Sequence, residues 1–250
     1  MSTASFITEQ DHQLAVVECQ KYLASSLPKM KTRLIFVMIT GSYAYHLDVE
    51  SSDKDYLGVF VCESADVLRY DPIIPQKTLA TKPGERDLPD FSLYEVRTFI
   101  RHLLEGNPFA LQVMYSKPSF STPEWDELLQ LSRLTLTRNA VDQLISYVQG
   151  QLNEHKAQPK VGKRIYHTLR LLYEAKRITQ GQEPQIFLLE GPERDRLMAI
   201  KMKHEVDESV ALEAETLIDE LEACKPWTAI PAVGILLGTQ LTPGCPVRAI

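Results

Sequence analysis

Apolar residues are distributed along this chain in two ways. In the first half they form short continuous runs between polar breaks, and in the second half they recur every three or four positions. Residues 9–27 set Leu14, Val17, Tyr22 and Leu23 among charges, which predicts an amphipathic helix ended by Pro28. Lys29 to Arg33 reads as a solvated basic connector, and Leu34 to Ile39 as a strand covered on both faces. Asp53 to Cys62 alternates acidic, apolar and small residues as a second strand would, with a turn and a short helix over residues 41–50 between the two. Asp71 to Glu85, with prolines at 72, 75 and 83, reads as a loop at the rim of a site. Ser92-Leu93-Tyr94-Glu95 matches a capping box, so a helix should follow, with Val96, Phe99, Ile100, Leu103 and Leu104 on its apolar face and Gly106 as its stop. Asp90 would then lie just outside that helix, where a third strand ends. Thr122-Pro123 is a helix start, and helical periodicity continues over 124–131, 139–156, 163–180, 192–204 and 206–224, with Gln185 to Leu189 as a short strand or buried loop. The fold class expected is α+β, a small mixed β-sheet domain with flanking helices over residues 1–120, followed by a mainly helical domain over 121–250.

The candidate chemistry lies where the first apolar run breaks. Gly41-Ser42 follows that run, and Asp53 and Asp55 stand two apart at the start of the next. Side chains alternate along a strand, so both carboxylates project from one side. Fixed side by side they repel, and a shared cation relieves that repulsion. Hard oxygen ligands suit Mg²⁺, which takes one or two protein carboxylates and leaves the remaining positions to water and phosphate. Small residues at Gly41-Ser42 let backbone approach a phosphate closely. The combination points to phosphoryl or nucleotidyl transfer. A second constellation is Lys160, Lys163, Arg164, His167 and Arg170, most of which share one arc of a helix while Ile165, Leu169 and Leu172 face away. That arc suits a triphosphate or an acceptor backbone, and equally a solvated helix face paired with acids.

Composition narrows the field further. Hydrophobic content of 44% and charged content of 24% are ordinary for a globular chain, and a net charge of −6 argues against a broad basic surface for long nucleic acid. Cys19, Cys62, Cys224 and Cys245 are scattered, which disfavours a zinc site or disulfide framework and suits an intracellular compartment. Met1 to Gln10 lacks the apolar core of a signal peptide, and Ala229 to Leu237 is too short to span a membrane, so the expected location is cytoplasmic, or nuclear in a eukaryote. No Gly-x-Ser-x-Gly elbow, Walker-type loop or His-Glu-x-x-His motif occurs.

A Gly-Ser turn followed by Asp-x-Asp on a strand resembles the DNA polymerase β nucleotidyltransferase superfamily. Gly-Ser-Tyr-Ala-Tyr from Gly41, Ser-Asp-Lys-Asp-Tyr-Leu-Gly-Val-Phe from Ser52, Asp-Phe-Ser-Leu-Tyr-Glu-Val from Asp90 and Glu-Gly-Asn-Pro from Glu105 resemble, in order, the predicted nucleotidyltransferases linked to RNA repair. The resemblance implies a polymerase β-type catalytic domain in the first 120 residues. It implies that Asp53 and Asp55 share the bridging of two metal ions, with Asp90 (or Asp87 in its place) as the third carboxylate, which activates the acceptor hydroxyl through the second metal. Ser42 would donate to the β- or γ-phosphate beside Gly41, and Lys163, His167 and Arg170 match a Lys, His and Arg of the family's later helix. It also implies an NTP substrate, Mg²⁺ or Mn²⁺ as cofactor, release of pyrophosphate, and an RNA or tRNA 3′ end as acceptor. Gln112 stands where the family usually has an acid. Two other readings remain from the residues themselves: the same fold acting on a protein or small-molecule acceptor, and a non-catalytic nucleotide-binding protein, against which the three acids argue.

Overall fold

The computed structural model describes residues 7–68, 79–80, 90–157, 163–203 and 208–224. Within them the chain forms two compact units that no single cut separates. The described parts of Met1–His102, Ser116–Gln130 and Phe187–Leu189 make the first unit, and those of Leu103–Tyr115, Leu131–Ile186 and Glu190–Ile250 the second.

The first unit is built on a five-stranded mixed sheet, so the α+β class holds. Its strands are β1 (Thr32–Thr40), β2 (Asp55–Cys62), β3 (Leu79–Ala80), β4 (Phe91–Glu95) and β5 (Phe120–Ser121), in the order β3-β4-β2-β1-β5. β1 runs antiparallel to β2, with Thr40 opposite Asp55, whereas β2 runs parallel to β4, with Tyr56 opposite Phe91. One face is covered by α1 (Glu9–Ser26), which buries Ala15, Cys19 and Leu23 against Val37, Ile39, Tyr56, Phe60, Phe91 and Leu93. On the other face Phe36 meets Trp125 of α5 (Pro123–Leu129), with ring centroids 4.2 Å apart, and Trp125 meets Phe99 of α3 (Val96–Leu104). A single turn, α2 (Ser64–Val67), follows β2.

Three expectations are corrected here. The first is the helix face of α1: Leu14 and Val17 are about half exposed, because the small Ala15 and Cys19 let the helix sit close to the sheet. The second is the capping box. Ser92 to Glu95 lies in β4, whose burial alternates strictly, and α3 begins only at Val96. The carboxylate of Glu95, 2% exposed, accepts from the Arg97 backbone N–H at 3.1 Å, so an acid from the end of the strand caps the helix instead. Asp90 consequently precedes a strand and does not end one. The third is the short helix over residues 41–50. Gly41 to His46 is a series of turns bounded by left-handed residues, Gly41 at φ 71° and His46 at φ 58°, and no regular helix forms there.

The second unit is helical. It contains α4 (Pro108–Met114), α6 (Arg138–Ala157), α7 (Lys163–Thr179), α8 (Pro192–Met202) and α9 (Glu208–Ala223). The last four match their expected spans to within a few residues. Gly106, at φ 74°, stops α3 as expected, and Asn107 then caps α4 by accepting from Phe109 N–H at 2.9 Å and Ala110 N–H at 3.2 Å. The helix α7 packs against α6, α8 and α9 and is buried on nearly every side. Among the described residues no helix is long and apolar enough to cross a membrane. Most of the Asp71–Glu85 loop, Asp87, Lys160 and the Ala229–Leu237 run lie outside the described residues.

Candidate active site

Strand register brings two of the three predicted carboxylates, Asp55 and Asp90, together at one end of the sheet, with Asp53 just before it. Tyr56 donates its backbone N–H to the carbonyl of Asp90 at 2.8 Å, which locks the entry of β2 beside the entry of β4. Asp55 and Asp90 are therefore neighbours, each one residue before the Tyr56–Phe91 pair. Tyr56 and Phe91 point into the core beneath α1, so by the alternation of the pleat Asp55 and Asp90 point to the opposite face. Lys54, just before β2, is anchored toward α1. Its ammonium reaches Asp11 on α1 at 2.6 Å, on the core side, and Asp53 precedes it just outside the strand. Asp53 and Asp90 are exposed and Asp55 half-buried.

The Gly41–Ser42 turn closes this edge. Thr40 pairs with Asp55, and a Cβ built on Gly41 would stand 3.3 Å from the Asp55 Oδ2 atom. The turn thus runs directly beside the carboxylate, in a conformation that suits glycine on two counts, its positive φ and the lack of room. Within the turn Ala44 N–H donates to the Gly41 carbonyl at 3.1 Å, and Leu47 N–H donates to the Ser42 carbonyl at 2.9 Å. Its far end is held by His46, whose Nδ1 lies 2.8 Å from the Leu188 carbonyl and whose ring stacks on Phe187 at 4.5 Å. Leu188 N–H returns a bond to the Tyr45 carbonyl at 3.3 Å.

The electrostatics differ between the two faces. On the core side the hydrogen bond from Lys54, followed by the backbone bond from Thr8, holds the Asp11 carboxyl down to about 2, and Asp11 in turn raises the Lys54 pKa. Burial raises the Tyr43 hydroxyl against the opposing charge of Lys54, with Asp48, Asp11 and Asp53 adding smaller upward pushes. On the other face Asp55 and Asp90 lie side by side. Among the described residues no three His, Cys, Asp or Glu side chains gather into a formed metal site. Mg²⁺ asks for less, since one or two carboxylates suffice when water and phosphate complete the shell. Asp55, with Asp90 next to it across the β2–β4 pairing and no side chain at Gly41 to crowd it, offers carboxylate oxygens of the kind such a hydrated cation takes.

The second constellation lies in the helical unit and is divided by burial. Lys163 opens α7. His167 is half-buried, stacked on Tyr166 with its Nε2 3.0 Å from the Tyr166 hydroxyl. Arg170 is only 1% exposed, so the reading as a solvated face does not hold for it. It neighbours Glu174, whose carboxyl is raised by burial against the opposing charges of Arg170 and Arg177. Glu174 accepts the Gln185 backbone N–H at 2.8 Å, and Arg177 also pairs with Glu193. Sequence reasoning overlooked Asp11, Lys54 and the Phe187–Leu189 segment. Thr8-x-x-Asp11 is a readable capping box, present with both of its bonds, but nothing in the sequence brings Asp11 to Lys54, 43 positions away.

The model of the RNA repair pathway DNA polymerase beta family matches residues 11–234 of this chain. No curated protein matches it. Among solved structures, a nucleotidyltransferase-like protein from Exiguobacterium sibiricum aligns over 83% of this chain and 73% of its own, at 12% identity and a TM-score of 0.31. That likeness is too loose to bear on the site.

Proposed function

The chain belongs to the RNA repair pathway DNA polymerase beta family and is a nucleotidyltransferase of that type, and on this premise we propose that it moves a nucleoside monophosphate from an NTP to an acceptor hydroxyl and releases pyrophosphate. The observation that supports the reading is the register that sets Asp55 beside Asp90 on one face, with Gly41 against the Asp55 carboxylate. In this reading Asp53 and Asp55, at the entry of β2, would hold a divalent cation, Mg²⁺ or Mn²⁺, with Asp90 beside them at the entry of β4. The cation supplies charge neutralisation for the triphosphate. Ser42 and the backbone of its turn bind the departing phosphates. Asp90 receives the proton of the acceptor hydroxyl as its oxygen bonds to the α-phosphorus, and the bond from that phosphorus to the pyrophosphate oxygen breaks. The acceptor is an RNA 3′ end, tRNA among them. Lys163, His167 and Arg170 are proposed to serve substrate binding, Arg170 by ordering its helix from within.

The test is transfer of label from each α-labelled NTP, in Mg²⁺, to total RNA and in parallel to cell protein. Label in RNA that is lost with Asp53→Asn supports the proposal. Label in protein instead would move the acceptor to a side chain while keeping the reaction. An Asp53→Asn protein with wild-type transfer would overturn the assignment of the site.

A further inference from the structure

Asp53 stands outside the hydrogen-bonded ladder, because β2 begins at Asp55. No strand bond orients it, so its direction is set by the residues on either side. Both are tied down. Ser52 is held through its carbonyl, which accepts the Tyr43 hydroxyl at 3.1 Å, and through its side chain, which accepts the Val49 N–H at 2.9 Å. Lys54 is held by Asp11 at 2.6 Å, and Asp11 is itself fixed by the N-terminal cap of α1, accepting the Thr8 N–H and hydroxyl at 2.8 Å each. Asp11 is the less exposed partner, its side chain 16% accessible against 35% for Lys54. The first turn of α1, on the opposite side of the sheet, thus grips the residue between the two carboxylates.

We infer that Asp11 and Lys54 are positioning residues for the cation site, holding the chain between Asp53 and Asp55 so that both carboxylates face one ion. The inference rests on the reading of Asp53 and Asp55 as cation ligands. Partners that orient ligands without touching the metal commonly change affinity by tenfold or more when removed.

Charge separates this role from plain electrostatics. If the pair acted only through its field, Asp11→Asn would leave Lys54 unbalanced and weaken cation binding, whereas Lys54→Met would leave Asp11 unbalanced and strengthen it. If the pair acts by position, both single variants weaken binding. So does the double variant, whose net charge equals that of the intact pair. The experiment is a titration of the full-length protein with Mn²⁺ alone, read by the free-ion electron paramagnetic resonance signal, alongside thermal unfolding. The expected result is a loss of about tenfold in Mn²⁺ affinity for each single variant and no further loss for the double. Lys54→Arg should recover most of it. Arg33→Gln, which removes the exposed Arg33–Glu124 pair in the same unit, should leave Mn²⁺ affinity unchanged. Opposite effects of the two single variants, or wild-type affinity in both, would overturn the positioning role while Asp53→Asn still loses the ion. Wild-type Mn²⁺ affinity in Asp53→Asn would overturn the underlying reading, and the inference with it.

Discussion

Two glycines with the same backbone strain and different neighbours allow the site to be tested by subtraction. Gly41 and Gly181 both adopt left-handed conformations, at φ 71° and φ 73°. An alanine at either position pays the left-handed penalty of about 1–2 kcal/mol. In a chain of this size that lowers the melting temperature by about 2–4 °C for each kcal/mol. At Gly181 nothing else happens, because among the described residues no atom beyond its chain neighbours lies within 4 Å of the added methyl. At Gly41 the methyl stands 3.3 Å from Asp55 Oδ2, so the carboxylate must give way by a few tenths of an ångström. That displacement is small for stability, since Asp55 is only half-buried and can turn. It is large for a ligand, since metal–oxygen distances tolerate only about 0.2 Å.

Gly41→Ala and Gly181→Ala should therefore melt at similar temperatures, a few degrees below the wild type. Only Gly41→Ala should lose Mn²⁺ affinity and NTP transfer, by about tenfold, the size seen when a ligand is disoriented and not removed. Gly106→Ala marks the other extreme. There the methyl would meet Ala140 Cα at 2.8 Å, a backbone atom that cannot turn aside, so its stability loss should exceed both. Calorimetric unfolding, Mn²⁺ titration and labelled-NTP transfer on the four proteins complete the test. If Gly41→Ala and Gly181→Ala bind Mn²⁺ and transfer label equally well, the Gly41–Asp55 contact has no part in the site.

Trp125 is 1% exposed between Phe36 and Phe99, so Trp125→Ala should cost about 3–5 kcal/mol, measured by denaturant unfolding. Asp11 predicts an acid limb of stability. Its carboxyl is lowered to about 2 by Lys54, so the pair's contribution is complete above the ordinary carboxyl range near 4 and disappears as pH falls through about 2. Discounted for its partly exposed partner, that contribution is about 1 kcal/mol, and the gap in melting temperature between the wild type and Asp11→Asn should close over this interval.

The sequence was most legible where burial and period agree. β1 is buried on both faces over six consecutive residues, and the helices after Thr122 carry an unbroken apolar period, so both were readable as patterns. β4 was misread because two local signals competed. Its alternation of buried and half-buried positions is a strand period, but Ser92 and Glu95 also stand at capping-box spacing. Pairing on both sides, with β2 and β3, decides in favour of the strand. The face of α1 was misread because size was taken for burial, although small residues line the closest contact. Arg170 was assigned to an accessible stripe because arginine is seldom buried, yet Glu174 stands one turn on and shares its interior. The bond from His46 to Leu188 joins residues 142 positions apart and leaves no local trace at either.

Ser52-Asp53-Lys54-Asp55-Tyr56 carries two messages at once. The odd positions carry the acids, and the even positions carry the anchors: Ser52 to Tyr43, Lys54 to Asp11, and Tyr56 to the core and to the Asp90 carbonyl. Within the strand the pleat sends Asp55 and Tyr56 to opposite faces, so neither can shift by one residue without exchanging roles with the other. A one-residue slip would put Lys54 among the acids and a carboxylate beneath α1. Register here is therefore a condition of the chemistry as well as of the core. The 2.8 Å bond from Tyr56 N–H to the Asp90 carbonyl, at the head of the β2–β4 ladder, extends the same condition to Asp90, which directly precedes β4. The edge of the sheet, more than any one carboxylate, is the unit that mutation should disturb as a whole.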